Sequence, residues 1–283
     1  MPLETGDKLR PQGLVITMLA LFARREEQRI WSGGLVRLLG EFGFSVGAAR
    51  VALSRLVQRD LLRPVKEGRL VSYVVTPQCE HLLAEGDRRM ASFGRPDPSR
   101  GWTVLWHSIP EDQRVARVSL ARRLRFLGFG PVGDGTWISP HERAVEVERL
   151  LEDLGIGAHA ELLVGVPLRL ADARSLLARG WNLDGLDERY RGFVERFRHV
   201  EMLELGDREA FVTRTLVAHE FRRFPLLDPE PPPEIAEVGE RDAAVDLFRR
   251  VFESLREGSE RYFELATAPE RDAGPSIQRA ERA

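Results

Sequence analysis

The chain has 283 residues, of which 43% are apolar and 30% are charged, and this balance is typical of a soluble globular protein of two or three domains. No run of ~18 apolar residues predicts a transmembrane helix, and the N-terminus lacks the apolar centre of a signal peptide. The lone cysteine, Cys79, cannot form an intrachain disulfide. These features predict a cytoplasmic protein.

The net charge of −2 hides an uneven distribution along the chain. Residues 1–95 carry 15 basic and 10 acidic side chains, whereas residues 176–283 carry 17 basic and 23 acidic side chains. A basic front and an acidic back predict that only the first third of the chain faces a polyanion such as DNA.

The first third of the chain predicts three helices and a β-hairpin. Pro11–Arg24 is apolar around its middle and predicts a buried helix, and Gly34–Phe42 predicts a short second helix. Ser45 is a suitable N-cap for a third helix over Val46–Asp60. The remaining predicted elements are strands over Leu62–Val65 and Arg69–Val75, with their turn at residues 66–68, and a helix over Pro77–Ser92.

The third helix has an apolar face and a polar face at 100° per residue. The residues predicted to face the core are Val46, Ala49, Ala52, Leu53, Leu56 and Val57. The opposite face and the hairpin carry side chains of the types that contact base edges and phosphates. Val51 is an apolar residue on the outward face, where it suits contact with a thymine methyl group. The predicted DNA contacts are Arg50, Val51, Ser54, Arg55, Gln58, Arg59, Arg63, Lys66 and Arg69.

This order of elements predicts a winged helix-turn-helix DNA-binding domain over residues 1–95. A small α+β domain with a solvated charged helix would show a similar pattern. Residues 30–73 combine a Trp-containing turn, a Phe-Gly step, Arg50, Arg55–Val57 and Ser72-Tyr73. In these features the segment resembles the N-terminal domain of the PaaX family, transcriptional repressors of phenylacetic acid degradation operons. The resemblance implies a homodimeric regulator of aromatic catabolism that binds an inverted-repeat operator in double-stranded DNA.

The middle segment, residues 96–170, predicts the element order βαββαβ, which is that of a ferredoxin-like domain. The predicted elements are a strand over Trp102–Ile109, an Arg-rich helix over Glu111–Phe126, two short strands around Asp134-Gly135, a helix over Glu142–Leu154 and a strand over Ala160–Val166. Three motifs continue the PaaX resemblance here: Ile109–Glu111, Gly128–Gly130 and Trp137–Pro140. The family's middle domain is similar to the Cas2 fold.

Two patterns in this segment suggest enzyme chemistry that their context does not support. Gly128, Gly130 and Gly133 spell GxGxxG, but they follow a helix and precede strands, whereas a dinucleotide site needs the reverse order. Cas2-like nucleases use an aspartate at the end of the first strand, and here that strand ends in His107-Ser108-Ile109. We therefore predict no catalytic residue, no metal site and no cofactor.

The C-terminal segment, residues 171–267, is predicted to be mostly helical, and residues 268–283 are predicted to be disordered. The predicted helices are Leu170–Leu177, Leu183–Phe197, Asp207–Phe224 and Arg241–Phe263. The run HEFRRFPLLDP at 219–229 again resembles the PaaX family, as does Arg189-Tyr190 after Trp181-Asn-Leu.

The resemblance implies an acyl-CoA effector, of which phenylacetyl-CoA is the family's best-known example. Arginines that could hold phosphates and aromatic side chains that could hold the base or the acyl group make this segment suitable. The predicted effector-binding residues are Trp181, Tyr190, His219, Arg222 and Arg223.

The sequence therefore predicts an α+β multidomain repressor of a catabolic operon that is released from its operator by an acyl-CoA. Three alternatives remain open: an enzyme acting on CoA thioesters, a Cas2-like nuclease, and a DNA-binding module without a small-molecule ligand. A non-enzyme is favoured because no nucleophile motif, phosphate-binding loop or metal-ligand spacing is present.

Overall fold

The computed structural model describes residues 9–23, 28–95, 101–166, 169–236 and 238–268. Their contacts divide the chain into two compact units. The first contains the described residues up to Asp87 together with Leu203–His219 and those from Phe252 onward, and the second contains Arg88–Met202 and Glu220–Val251. The C-terminal segment 171–267 thus contributes residues to both units. Of the tail predicted to be disordered, all but Ala268 lies outside the described residues.

The described residues form twelve α-helices and seven β-strands. The helices are α1 (Pro11–Phe22), α2 (Ser32–Gly40), α3 (Val46–Gln58), α4 (Pro77–Ser92), α5 (Arg114–Phe126), α6 (Ala144–Leu154), α7 (Leu170–Gly180), α8 (Leu183–Phe197), α9 (Asp207–Phe221), α10 (Phe224–Leu227), α11 (Arg241–Ser254) and α12 (Arg256–Thr267). The strands are β1 (Ile30–Trp31), β2 (Leu62–Glu67), β3 (Leu70–Val75), β4 (Trp102–His107), β5 (Gly130–Gly133), β6 (Thr136–Ser139) and β7 (Ala160–Gly165).

In the first unit, α1, α2 and α3 precede an antiparallel sheet with the strand order β1-β3-β2. The predicted hairpin is present, but its turn lies at residues 68–69 rather than at residues 66–68. Glu67 pairs with Leu70, so Gly68 and Arg69 form the turn, and Gly68 takes a left-handed φ of 59° that favours glycine. Strand β1 was not predicted because two residues are too few to show a periodic pattern.

The apolar face of α3 is buried as predicted at Ala49, Ala52, Leu53 and Leu56, and it packs on α1 and α2. Val46 was predicted to face the core, and this was wrong, because its side chain is 54% exposed. Val46 is the first residue of α3, and the buried face of the helix begins at Ala49.

Two predicted helices of the C-terminal segment end earlier than expected. The helix predicted over Arg241–Phe263 is broken at Leu255, and Arg214 Nε donates a hydrogen bond of 3.0 Å to the carbonyl of Phe252 near the end of α11. A buried donor thus satisfies one of the carbonyl groups that a helix end leaves without an intrahelical partner. The helix predicted over Asp207–Phe224 ends at Phe221, and Pro225, which has no N–H to donate, lies in the separate turn α10.

The second unit contains a four-stranded antiparallel sheet with the strand order β5-β6-β4-β7. The predicted sequence of strand, helix, two strands, helix and strand is present, and Asp134 and Gly135 form the predicted turn. Alternate residues of β4 face opposite sides of the sheet. Leu105 packs with residues of α5 and α6, whereas Trp102 packs with residues of α7.

Among the residues that the structure describes, no helix combines the length and apolar character that crossing a membrane requires.

Candidate nucleic-acid interface and effector region

The outward face of α3 presents the side chains that the sequence predicted. Ser45 caps the helix, because its Oγ accepts a hydrogen bond of 3.2 Å from the backbone N–H of Ala48. Val51 is 52% exposed, so an apolar side chain lies on the surface among polar ones. The exposed predicted residues of this face are Arg50, Val51, Ser54, Arg55, Gln58 and Arg59.

The hairpin after α3 adds three exposed basic side chains, and Glu67 near its tip is paired with Arg29. Within the described ranges, none of the basic side chains on the surface of α3 and the hairpin hydrogen-bonds or ion-pairs with another residue. These side chains are Arg50, Arg55, Arg59, Arg63, Lys66 and Arg69. Their charges are therefore not neutralised by described carboxylates, and they are free to meet phosphate groups.

Residues far along the chain hold α2 in place within the same unit. Glu41, directly after α2, accepts a hydrogen bond of 2.6 Å from Arg208 Nε and another of 2.6 Å from the hydroxyl of Tyr262. Gly34 lies so close to the last turn of α12 that an added Cβ would be 2.6 Å from the Cα of Thr267. The two contacts of Glu41 could not be predicted from sequence patterns, because the partners are separated by 167 and 221 positions.

The five predicted effector residues have different surroundings. His219 belongs to the first unit, where its Nδ1 lies 2.9 Å from the hydroxyl of Thr17. Trp181, Tyr190, Arg222 and Arg223 belong to the second unit. Both arginines are half-buried, and neither is without an interaction partner.

Tyr190 is fully buried and joins a network of polar groups. Its hydroxyl donates a hydrogen bond of 2.7 Å to Asp228, whose carboxylate also accepts bonds of 2.6 and 2.8 Å from Arg241. Burial, together with the adjacent Asp228 carboxylate, raises the pKa of Tyr190. Glu230 accepts a hydrogen bond of 2.7 Å from the N–H of Gly94, and burial raises the pKa of its carboxyl to about 7.

Trp181 is the predicted effector residue that lines a surface concavity. This concavity has a volume of about 270 Å³ and lies entirely in the second unit. A larger one of about 540 Å³ adjoins it and shares Gly180, Trp181 and Asn182. Tyr190, His219, Arg222 and Arg223 are not among the residues that line these two concavities. The principal residues that line the concavity of about 270 Å³ are Arg125, Phe129, Trp181, Leu186, Arg189 and Leu226.

Arg125 and Arg189 were not among the predicted effector residues. Arg125 was predicted only as part of the Arg-rich helix over Glu111–Phe126. Arg189 was noted only as part of a motif. Their common position depends on how α5, α8 and the β5 strand pack, which no local pattern shows.

Within the described ranges, no group of three or more His, Cys, Asp or Glu side chains is arranged to hold a metal ion. The first strand of the sheet, β4, ends at His107 without a carboxylate.

Comparison with known proteins identifies the family. Three models match in succession: PaaX-like protein over residues 10–79, the PaaX protein central Cas2-like domain over 95–177, and the PaaX-like protein C-terminal domain over 181–265. The chain belongs to the PaaX family. The transcriptional repressor PaaX of Escherichia coli (strain K12) is 26% identical over 236 residues, which cover 78% of this chain and 74% of that protein. This homology to a PaaX-family repressor supports a transcriptional repressor rather than an enzyme.

A solved structure, that of the uncharacterized protein Rv0674 from Mycobacterium tuberculosis, shares the fold with a TM-score of 0.54. The two sequences are 18% identical, and the match covers 91% of this chain and 98% of the other. Together with the central Cas2-like match, this supports a multidomain protein of mixed helices and sheets in the PaaX family.

Proposed function

We propose that this chain is a dimeric repressor that binds an inverted-repeat operator through α3 and the β2–β3 hairpin. The observation that carries the proposal is the exposed face of α3, whose basic side chains have no partner among the described residues. Side chains such as Arg50 and Arg55 pair with guanine edges or phosphates, and the buried alanines and leucines behind them fix the direction of the face.

The proposal includes a division of the chain by role. Residues 1–95 form a winged helix-turn-helix, residues 96–170 a ferredoxin-like, Cas2-like domain, and residues 171–267 a helical domain. The strand order β5-β6-β4-β7 with antiparallel neighbours supports the middle assignment, since it is the order of a ferredoxin-like sheet.

Selection of binding sites from a library of random DNA duplexes tests the DNA-binding part. We expect enrichment of an inverted repeat whose half-sites lie one or more helical turns apart, because a two-fold dimer reads each half-site with one α3. The parallel selection with the Arg50→Ala/Arg55→Ala variant provides the control and should enrich no repeat. Recovery of unenriched sequences by the wild-type protein would contradict the proposal.

We further propose that an acyl-CoA such as phenylacetyl-CoA releases the protein from DNA. Such a ligand acts only if it binds the DNA-incompetent state more tightly than the competent one. Trp181 offers an aromatic surface, and Arg222 and Arg223 are cations suited to phosphate groups. Tyr190 and His219 already have neighbours in Asp228 and Thr17, so each of them contributes by stabilising its own unit. The proposal includes no catalytic residue.

Operator release, titrated with phenylacetyl-CoA, free CoA and phenylacetate, tests this part. We expect release by the thioester, and we expect the Arg222→Ala/Arg223→Ala variant to bind operator normally but to need more thioester. Absence of release at millimolar thioester would overturn the effector proposal. An identical response of the two proteins would assign these arginines a structural role.

A further inference from the structure

We infer that the concavity beside Trp181 is a binding site for an anionic compound that also carries an aromatic or aliphatic group. Three separate parts of the sequence meet there: residues 125–131 at the end of α5 and the start of β5, residues 180–189 from the end of α7 into α8, and residues 226–227 of α10. The first two contribute a cation each, and all three contribute apolar surface. The site therefore combines the two kinds of contact that an amphipathic anion needs.

The wall of the concavity depends on an unusually close approach of two backbone segments. A Cβ added at Gly130 would lie 2.8 Å from the carbonyl oxygen of Gly180 and 2.9 Å from the Trp181 ring. Only glycine allows β5 to lie this close to the end of α7. Gly130 thus allows the close approach that positions the indole of Trp181.

Positive charge at the concavity comes from Arg125 and Arg189, which are both exposed. The Arg125 guanidinium carbon lies 5.1 Å from the centre of the Trp137 ring, a cation–π contact that leaves its hydrogen-bond donors available. Within the described part of the chain, neither arginine side chain has a carboxylate partner. No acidic side chain is among the residues that line this concavity, and Asp184 lines the adjoining one.

The start of α8 adds to this positive potential. Asn182 caps the helix, and its Oδ1 accepts a hydrogen bond of 3.1 Å from the N–H of Gly185. Both residues line the concavity. The N-terminus of a helix of fifteen residues carries a partial positive charge, which favours an anion at this place.

Apolar groups form the rest of the lining. Leu226 and Leu227 of α10 are 43% and 38% exposed, although Phe224 and Pro225 before them are buried. Together with Trp181 they leave apolar surface in contact with water beside two cations. A ligand with a flat ring or a short aliphatic group would cover this surface, which is a favourable change.

The volume limits the size of the bound group. Ligand pockets usually enclose ~300–1,000 Å³. The volume of about 270 Å³ lies just below this range, so the concavity has space only for a compact compound or for one end of a longer one. The adjoining 540 Å³ concavity leaves space for the remainder of a longer ligand. The anionic group is either a carboxylate or a phosphate, since arginine binds both in a bidentate manner.

Isothermal titration calorimetry on the full-length protein, with phenylacetate and phenylacetyl-CoA as separate probes, tests the inference. The choice of these probes rests on the proposed function. The variant is Arg125→Gln/Arg189→Gln, and the matched control is Arg122→Gln, an exposed arginine on α5 outside the lining. We expect the double variant to bind at least ~10-fold more weakly than the wild-type protein, because charge-assisted hydrogen bonds are lost. The control variant loses none of these hydrogen bonds and should bind with wild-type affinity.

The outcomes separate the two sources of the anion. Arginine-dependent binding of phenylacetate supports a carboxylate site, and arginine-dependent binding of the thioester alone supports a phosphate site. Wild-type binding that the double variant retains in full would overturn the inference, as would the absence of binding of both probes at millimolar concentration. An unchanged melting temperature of the double variant excludes misfolding as the cause of a loss.

The same samples are also assayed for operator binding without ligand and for its release. If the wild-type protein does not bind operator, the proposed repressor function is contradicted and the proposed ligand site is not affected. Release of operator that does not depend on Arg125 and Arg189 would contradict the ligand site and leave the repressor standing.

Discussion

Arg50 and Arg55 extend from one exposed face of α3, and each can donate two hydrogen bonds to a guanine. We expect Arg50→Ala or Arg55→Ala to weaken operator binding by ~1–3 kcal/mol, which is the range for one bidentate base contact. The free energy of unfolding should change little, because neither side chain is buried. Competition binding against operator and random duplexes measures the effect.

Arg122→Ala is the control for that experiment, since Arg122 is an exposed arginine on α5 in the second unit. It should bind operator as the wild-type protein does. If both α3 variants also retain wild-type affinity, α3 is not the element that reads the operator.

Glu230 predicts a pH dependence of stability. Its folded-state pKa of about 7 lies above the ordinary value of 4.5, so the folded protein holds a proton that the unfolded chain has lost between these pH values. Stability should therefore fall as pH rises from about 4.5 to about 7, by at most ~1.4 kcal/mol per pH unit. Glu230→Gln should lose less stability over the same range.

Urea unfolding at a series of pH values measures this difference. Glu234→Gln, which changes an exposed glutamate in the same loop, should follow the wild-type profile. Parallel profiles for the wild-type protein and Glu230→Gln would show that burial does not hold a proton on Glu230.

The β2–β3 hairpin is expected to contact phosphates rather than bases. Lys66 and Arg69 are exposed near its tip. Lys66→Ala/Arg69→Ala should weaken binding to all duplexes to a similar degree, and each lost phosphate contact should reduce the slope of log affinity against log salt by ~0.9. Titrations at several salt concentrations measure the slope, and an unchanged slope would contradict a phosphate-contacting hairpin.

Helix α2 offers two glycines with opposite expected effects. At Gly34 a Cβ would meet the backbone of Ala266 and Thr267, so Gly34→Ala should destabilise the protein by ~1–3 kcal/mol. At Gly40 nothing lies within 4 Å of an added Cβ, so Gly40→Ala should be neutral or stabilising by up to ~1 kcal/mol. Thermal and urea unfolding compare the two, and equal effects would mean that α12 does not pack on α2 as described.

The sequence patterns predicted which helices and strands form more accurately than they predicted where each element ends. The boundaries of α4 and α8 matched the prediction because each has a strong local signal: a proline begins α4, and α8 has apolar residues three or four positions apart. The break at Leu255 could not be predicted, since the segment is helical in pattern on both sides of it. The carbonyl of Phe252 near this break accepts a hydrogen bond from Arg214, a residue 38 positions away.

For the molecule as a whole, the proposed dimer predicts cooperation between half-sites. Disrupting one half of an inverted-repeat operator should weaken binding far more than deleting any single base contact, because the second α3 then meets non-specific DNA. Gel-shift assays with intact and half operators, together with sedimentation of the free protein, test this. A monomer that binds half and intact operators equally well would contradict the dimer.

The sequence alone was sufficient for the four helices and the β2–β3 hairpin of the first ninety-five residues, though not for the two-residue strand β1, and also for the βαββαβ order of the middle segment and the exposed face of α3. These features depend on periodicity, capping and turn residues, which act between neighbours in the chain. The contacts of Glu41 with Arg208 and Tyr262, the burial of Tyr190 against Asp228, and the concavity at Trp181 were not predictable. Each joins side chains that are distant in sequence, and only the packing of helices and strands brings them together.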